Sequence, residues 1–248
     1  MNSKRDWAAG LIVWLVLLTL APSGMSAEKL RLLILSGSHP FQTNEFFQLF
    51  KDNPEVEFTA AAHPNAHPYL RPEAVKAFDV IVLYDYWQKI TEEAKGDFVN
   101  ALKSGKGLVI LHHAVADYQA WPEYEKILGG RYYMAQKTVV NGVEKPRSKA
   151  KHGEDIKVQV ADPEHPVTRG VKDFTIRDES YFGYDIQPDS HVILTTDHTN
   201  NSPHLAWTRT YEASRVVYLQ LGHDRFAYEH PSYRQLVAQA IRWVARKE

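Results

Sequence analysis

Three short, nearly unbroken apolar runs limit this chain more than any other feature: Leu30 to Ser36, Val80 to Asp85 and Gly107 to His112. A strand with one face in water alternates apolar and polar residues. A run without alternation must be covered on both faces, which is the pattern of a strand inside a parallel sheet flanked by helices. Val56 to Ala61 is more mixed and predicts an edge strand. Amphipathic stretches separate the runs. In the clearest, Thr91 caps, Glu92 and Glu93 suit the positive end of a helix, Ala94, Phe98, Ala101 and Leu102 share a face, and Gly105 closes the C-terminus. Another starts near Thr43 or Asn44 and sets Phe46, Leu49 and Phe50 on one side. The last opens with a capping-box pattern at Ser232 to Gln235 and turns Leu236, Val237, Ala240, Ile241 and Val244 inward. This alternation predicts an α/β fold with a doubly wound, mostly parallel sheet and helices on both faces.

The second half reads differently. Gly129 to Lys151 is polar and aperiodic and is read as a long loop over the sheet. Ile156 to Val160, Val192 to Thr196, Leu205 to Arg209 and Val216 to Leu221 are expected strands, some antiparallel. No repeat or linker divides the chain, so residues 28–248 are expected to form one domain. Before them, Lys4 and Arg5, the apolar run Leu11 to Leu20 and Ser26-Ala27 follow the order of a secretory signal. The apolar run is about ten residues, half the ~20 that span a bilayer as a helix. Residues 1–27 are therefore expected to be a cleaved signal peptide. Export to a bacterial periplasm or medium would leave no membrane span, and a retained anchor is the alternative.

Composition narrows the chemistry. Lys plus Arg number 29 against 30 Asp plus Glu, a net charge of −1, which gives no broad positive field for nucleic acid. The absence of cysteine excludes disulfides, thiolate nucleophiles and thiolate metal sites, whereas histidine numbers 12.

In an open α/β sheet, ligands bind beyond the carboxyl ends of the strands. Four expected strands run into His39, Asp85-Tyr86, His112-His113 and His223-Asp224, and Asp178-Glu179-Ser180-Tyr181 follows the stretch Val171 to Ile176. Imidazole with carboxylate performs general acid–base work near neutral pH or ligates a divalent metal. His113, Glu179 and His223 are the expected catalytic groups. His39, Asp85, Tyr86, His112, Tyr181 and Asp224 are expected to contact substrate. If a metal is held, zinc, manganese or nickel on His39, His113 and His223 is the expectation. For the His112-His113 pair, adjacent residues on an extended chain face opposite ways, so at least one is expected to be structural. His63 to Pro68 reads as a turn-rich loop, and His152, His191, His198 and His204 read as surface groups. Aromatics including Tyr84, Trp87, Tyr118, Phe182, Trp207 and Tyr228 crowd the same segments, and aromatic faces beside polar groups suit a sugar ring.

An ordered set of motifs carries a family resemblance: Gly37-Ser38-His39 with Phe41 and Glu45, Gly107 to Ala114, Asp162 to Gly170, Asp178 to Tyr181, and Gly222-His223-Asp224 through His230-Pro231 to Trp243. Together they resemble the ThuA-like, or trehalose utilisation, family. That family is similar in fold to class I glutamine amidotransferases, a flavodoxin-like domain with a cysteine on the turn after the strand matching Gly107 to Leu111. Here the turn is His112-His113-Ala114, so glutaminase activity by thiolate attack is excluded. The resemblance implies carbohydrate metabolism. The expected function is an exported enzyme acting on a keto-sugar or disaccharide derivative by His/Glu acid–base or metal-assisted chemistry. A non-catalytic sugar-binding or sensing module and a metal-dependent hydrolase of acylated sugars are the alternatives.

Overall fold

The computed structural model describes residues 28–248, so the signal peptide expected at residues 1–27 lies outside the described residues. The first half alternates as its sequence requires: β1 (Leu30–Gly37), α1 (Thr43–Lys51), β2 (Val56–Ala62), α2 (Pro72–Val75), β3 (Val80–Asp85), α3 (Glu92–Lys103), β4 (Gly107–Leu111) and α4 (Pro122–Leu128). The second half is rich in strand: β5 (Gly130–Arg131), β6 (Lys137–Val140), β7 (Val143–Pro146), β8 (Lys149–Val160), β9 (Phe174–Phe182), β10 (Asp185–Ile186), β11 (His191–Thr195), β12 (His204–Tyr211) and β13 (Ser214–Leu219). It closes with α5 (Arg225–Tyr228) and α6 (Pro231–Val244).

Nine strands form one mixed sheet in the order β2-β1-β3-β4-β13-β12-β11-β8-β9. The first five are mutually parallel, and β12, β11, β8 and β9 continue the sheet antiparallel. β2 is an edge, as its mixed pattern predicts. The unbroken apolar runs are explained by alternation between two covered faces. Val80, Val82 and Tyr84 of β3 join a core with Phe46, Leu236 and Ile241 from α1 and α6. Ile81 and Leu83 enter the opposite core with Phe98 and Tyr124 from α3 and α4. All five are essentially fully buried, and each aliphatic side chain among them contributes roughly 1.5–3 kcal/mol.

Thr91 caps α3, its hydroxyl accepting from the Ala94 amide at 3.2 Å. Two local expectations are corrected. The cap of α6 is His230, whose ring accepts from the Ser232 amide at 3.2 Å, and Pro231 takes the first helical position where its missing N–H costs nothing. The stretch Gly129 to Lys151 is not a loop. It holds β5, the β6–β7 hairpin and the start of β8, whose polar residues satisfy their backbones by cross-strand pairing without burying an apolar face.

Candidate active site

Four of the parallel strands deliver side chains to one edge of the sheet, and β9 supplies a fifth group from the antiparallel extension. β4 ends at Leu111, and the chain then turns through His112 with φ +50°, a left-handed conformation unusual for a residue with a Cβ. Such strain concentrates at functional positions. The turn opens a 3₁₀ segment, His112–Ala116, and brings both imidazoles to the same edge, with ring centroids 5.2 Å apart. The opposite-faces expectation fails here because the chain is no longer extended.

His112, Glu179 and His223 form a tight triangle. His112 Nε2 lies 3.0 Å from Glu179 Oε2, His223 Nδ1 lies 3.2 Å from the same oxygen, and the two nitrogens are 3.2 Å apart. Their donor atoms fall within the span of a single ion. Ligands about 2.1 Å from a zinc-like ion and at right angles stand about 3.0 Å apart, and about 3.4 Å apart in a tetrahedron. The observed edges match that range.

Hydrogen bonding supports the fit. His112 Nδ1 faces the Gln220 carbonyl at 2.7 Å. A carbonyl only accepts, so Nδ1 carries the proton and a neutral His112 turns a bare Nε2 lone pair toward the Glu179 carboxylate. That contact is repulsive unless His112 is an imidazolium or a cation lies between the two. Donation of the second ring N–H to a backbone carbonyl is the habit of metal-ligating histidine. The Tyr181 hydroxyl lies 3.0 Å from His112 Nε2, and burial pushes its phenol far above the ordinary range, so it stays a neutral donor. Burial also acts to raise the Glu179 carboxyl. The hydrogen bonds with His112 and His223 overrule it and hold the carboxyl well below its usual range. Reciprocally, the Glu179 hydrogen bond raises the His223 imidazole against burial.

Asp178 fixes the geometry from beneath. Fully buried, it accepts from the backbone amides of Glu179, Gly222 and His223 at 2.7, 2.8 and 3.0 Å, tying β9 to the segment after β13. Burial raises its carboxyl above the ordinary value, against those amides and the charge of His112.

His113 and His39 flank the triangle without entering it. His113 Nδ1 faces the Asp85 carbonyl at 2.9 Å, which fixes the proton there and leaves the buried Nε2 as a lone pair without a partner. Burial lowers the His113 imidazole well below its ordinary value and lowers His39 as well. The two rings lie 4.7 Å apart. Together with Tyr86, Tyr132, Glu179 and Tyr181 they line a cavity of about 270 Å³. This is close to the lower end of small-ligand sites, ~300 Å³.

The remaining expected contacts are placed elsewhere. The trio His39, His113 and His223, expected as ligands, is not what converges, because His112 and Glu179 take the positions beside His223. Asp85 is fully buried away from the cavity, its carboxylate 2.8 Å from His63 Nε2. Asp224 caps α5, accepting from the Phe226 amide at 2.9 Å. Trp207 is completely buried and donates to the Leu128 carbonyl, so it cannot face a ligand.

Sequence reasoning placed His152 at the surface, where its side chain is 67% exposed, but missed its contacts with the triangle, and it missed the His63 cluster. Between Lys151 and Glu154, β8 carries three steps against the two from Ser180 to Asp178 on β9, a bulge with Gly153 at φ +71°. Such bulges re-aim side chains. His152 thereby reaches His223 Nε2 at 3.0 Å and Glu179 Oε1 at 3.4 Å. His63 stacks on Trp87 at 4.7 Å and meets Asp85, and Asp117 is buried beside that carboxylate. The signals were a His-Gly pair and a Pro-rich loop, neither specific.

The sequence model described as trehalose utilisation (ThuA) matches residues 31–244. A ThuA-like protein from Parabacteroides merdae superposes with a TM-score of 0.74 at 17% identity, over 88% of this chain and 90% of that one. Another from Bacteroides uniformis gives 0.69 at 22% identity, over 90% and 95%. Part of a β-galactosidase from Rahnella sp. R3 shares the fold, with a TM-score of 0.59 at 7% identity over 89% of this chain and 32% of that one. No curated protein matches.

Proposed function

The chain belongs to the trehalose-utilisation (ThuA) family, and from that premise we propose that it is an exported, divalent-metal-dependent enzyme acting on a keto-sugar or disaccharide derivative. The observation that carries this reading is the triangle of buried His112, buried Glu179 and half-buried His223, with edges of 3.0 to 3.2 Å. Two imidazoles and one carboxylate suit zinc, manganese or nickel. A cation held there would supply a Lewis acid for a substrate carbonyl oxygen.

The chain's own groups do the rest. The neutral His113 Nε2, buried and unpartnered, takes a proton from carbon beside the carbonyl, and the Asp85 carbonyl holds its ring in the tautomer that can accept. His39, also lowered by burial, stands close enough to pass a proton between neighbouring positions. Tyr86, Tyr132 and Tyr181 offer ring faces and hydroxyls to a sugar. The strand order β2-β1-β3-β4-β13 supports a flavodoxin-like reading of the parallel half, with the site at its carboxyl edge. Export rests on Lys4, Arg5, the run Leu11 to Leu20 and Ser26-Ala27.

The test is hydrogen exchange at carbon. Metal-replete protein is incubated with a panel of keto-sugars in deuterated water, and exchange next to the carbonyl is followed by NMR. Exchange that disappears with chelator, and in His113→Gln with metal still bound, supports the reading. Absence of both exchange and turnover in metal-replete protein overturns it.

A further inference from the structure

The polar stretch that crosses the site carries a regular pattern of charge: Lys145, Arg147, Lys149 and Lys151 stand at every second position. Acids neutralise two of the four, Lys145 by Asp185 at 2.7 Å and Lys151 by Glu154 at 2.7 Å. Arg147 and Lys149 have no ion pair among the described residues. Arg147 lies on the wall of the 270 Å³ cavity, across a space that also touches His39, His113 and Glu179. Lys149 and Lys151 line an adjoining cavity of about 320 Å³ with the exposed ring of Phe182 and the amide of Asn200, and Ala150 belongs to both walls.

The arginine has a fixed base and a free head. Its amide donates to the Gln136 carbonyl at 3.3 Å, the next amide donates to the Tyr133 carbonyl at 2.8 Å, and Ser148 Oγ donates to the Gly183 carbonyl at 2.9 Å. Its charge is felt inside the cavity, where it opposes the burial that raises the Tyr86 and Tyr132 phenols. The acid lining the same cavity, Glu179, is already engaged by His112 and His223. The space therefore holds an uncompensated guanidinium at one side and the triangle of candidate ligands at the other. A guanidinium presents parallel N–H donors that match two oxygens of one carboxylate or phosphate group, a fit neither a hydroxyl nor a water reproduces.

We propose that the substrate is an acidic sugar, held by its oxyanion on Arg147 while its carbonyl end lies over His113 and the His112–Glu179–His223 triangle. This rests on the enzymatic reading above and adds the substrate's charge to it. Carboxylate and phosphate share the recognition chemistry, and Lys149 on the neighbouring wall extends the positive rim for a longer acidic ligand.

The probes are glucose, glucuronate and glucose 6-phosphate, titrated calorimetrically at low salt into the full chain, with manganese and again with chelator. In the wild type at least one acid is expected to bind about tenfold or more tighter than glucose, the scale of one charge-assisted contact. Arg147→Gln should bring that ratio to within about twofold while leaving the manganese affinity unchanged, because the residue is exposed and lies outside the triangle. Which acid shows the preference identifies the carboxylate or the phosphate as the source. Equal binding of all three sugars by the wild type, or a preference that survives Arg147→Gln, overturns the inference. The preference persisting without any metal binding would remove the metal reading and keep this one. Metal-dependent exchange on neutral keto-sugars with no acid preference would do the reverse.

Discussion

Glu179→Gln separates a metal site from a charge network in one measurement. The substitution keeps side-chain shape and removes the one negative charge in the triangle, where Oε2 lies 3.0 Å from His112 Nε2 and 3.2 Å from His223 Nδ1. A ligand present at 100 times its dissociation constant stabilises the folded state by about 2.7 kcal/mol. For a domain of this size each kcal/mol moves Tm by roughly 2–4 °C, so manganese or zinc at that level should raise Tm by about 5–10 °C over chelator-treated protein. If the loss of the carboxylate weakens binding about 100-fold, the same metal concentration equals the new dissociation constant and contributes only about 0.4 kcal/mol, or 1–2 °C. Scanning calorimetry with and without chelator, beside metal analysis of protein purified without chelator, reads both. The reasoning fails if the wild type shows no metal-dependent shift, or if Glu179→Gln responds as strongly as the wild type. In either case the short His112–Glu179 contact would be an ion pair between an imidazolium and a carboxylate.

Two further outcomes test the scaffold. Burial first, and then the neighbouring Asp85, raise the fully buried Asp117 carboxyl well above its ordinary range, so it folds as the neutral acid. A raised acid contributes stability below its unfolded value, 3.8, that is lost as pH climbs toward its folded value. In Asp117→Asn an amide still accepts from the Trp87 amide and faces Asp85 as a donor. Its Tm advantage over the wild type should therefore grow from pH 5 to pH 7, by up to about 1.4 kcal/mol per unit in urea titrations, and a flat difference would contradict the assignment. Gly222 has φ +123° and no room for a Cβ beside the Tyr233 hydroxyl. Gly222→Ala should lose about 2–3 kcal/mol in urea denaturation and bind manganese more weakly through displaced His223, whereas unchanged stability would refute the strain argument.

How much of this was legible in the sequence follows from what periodicity can carry. The parallel half was readable because Val80 to Asp85 and Gly107 to Leu111 are unbroken apolar runs, and at five or six residues, rich in β-branched side chains, they are too short for buried helices and suit strands covered on both sides. The carboxyl-edge rule brought His39, His112-His113 and His223 together without any contact information. It could not say which of them share an ion. That depends on the left-handed turn at His112 and on the β9 register that sets Glu179 beside it, both products of long-range pairing. The ribbon from β5 to β8 was hidden because its partners are backbone groups and its side chains are polar. The contacts of His152 were hidden for a related reason, since only the bulge aims this exposed side chain at His223 and Glu179. Trp207 was misleading because an aromatic in a half-buried strand and one facing a sugar have the same sequence context.

The triangle also has a topological meaning. Its three members come from the end of the parallel core, from the antiparallel extension and from the segment after β13, and His112 and His223 are 111 residues apart in sequence. Closing loops of that length is entropically unfavourable, and such long-range contacts slow folding. An ion bound across the triangle would act as a cross-link between the parallel core and the outer β8–β9 pair, which joins the rest of the sheet through two paired positions of β8 and β11 and is tied to the segment after β13 by Asp178. Its chief effect on the folded protein would then be on the rate of unfolding. Metal would keep the outer pair from peeling away, a gain in kinetic rather than equilibrium stability.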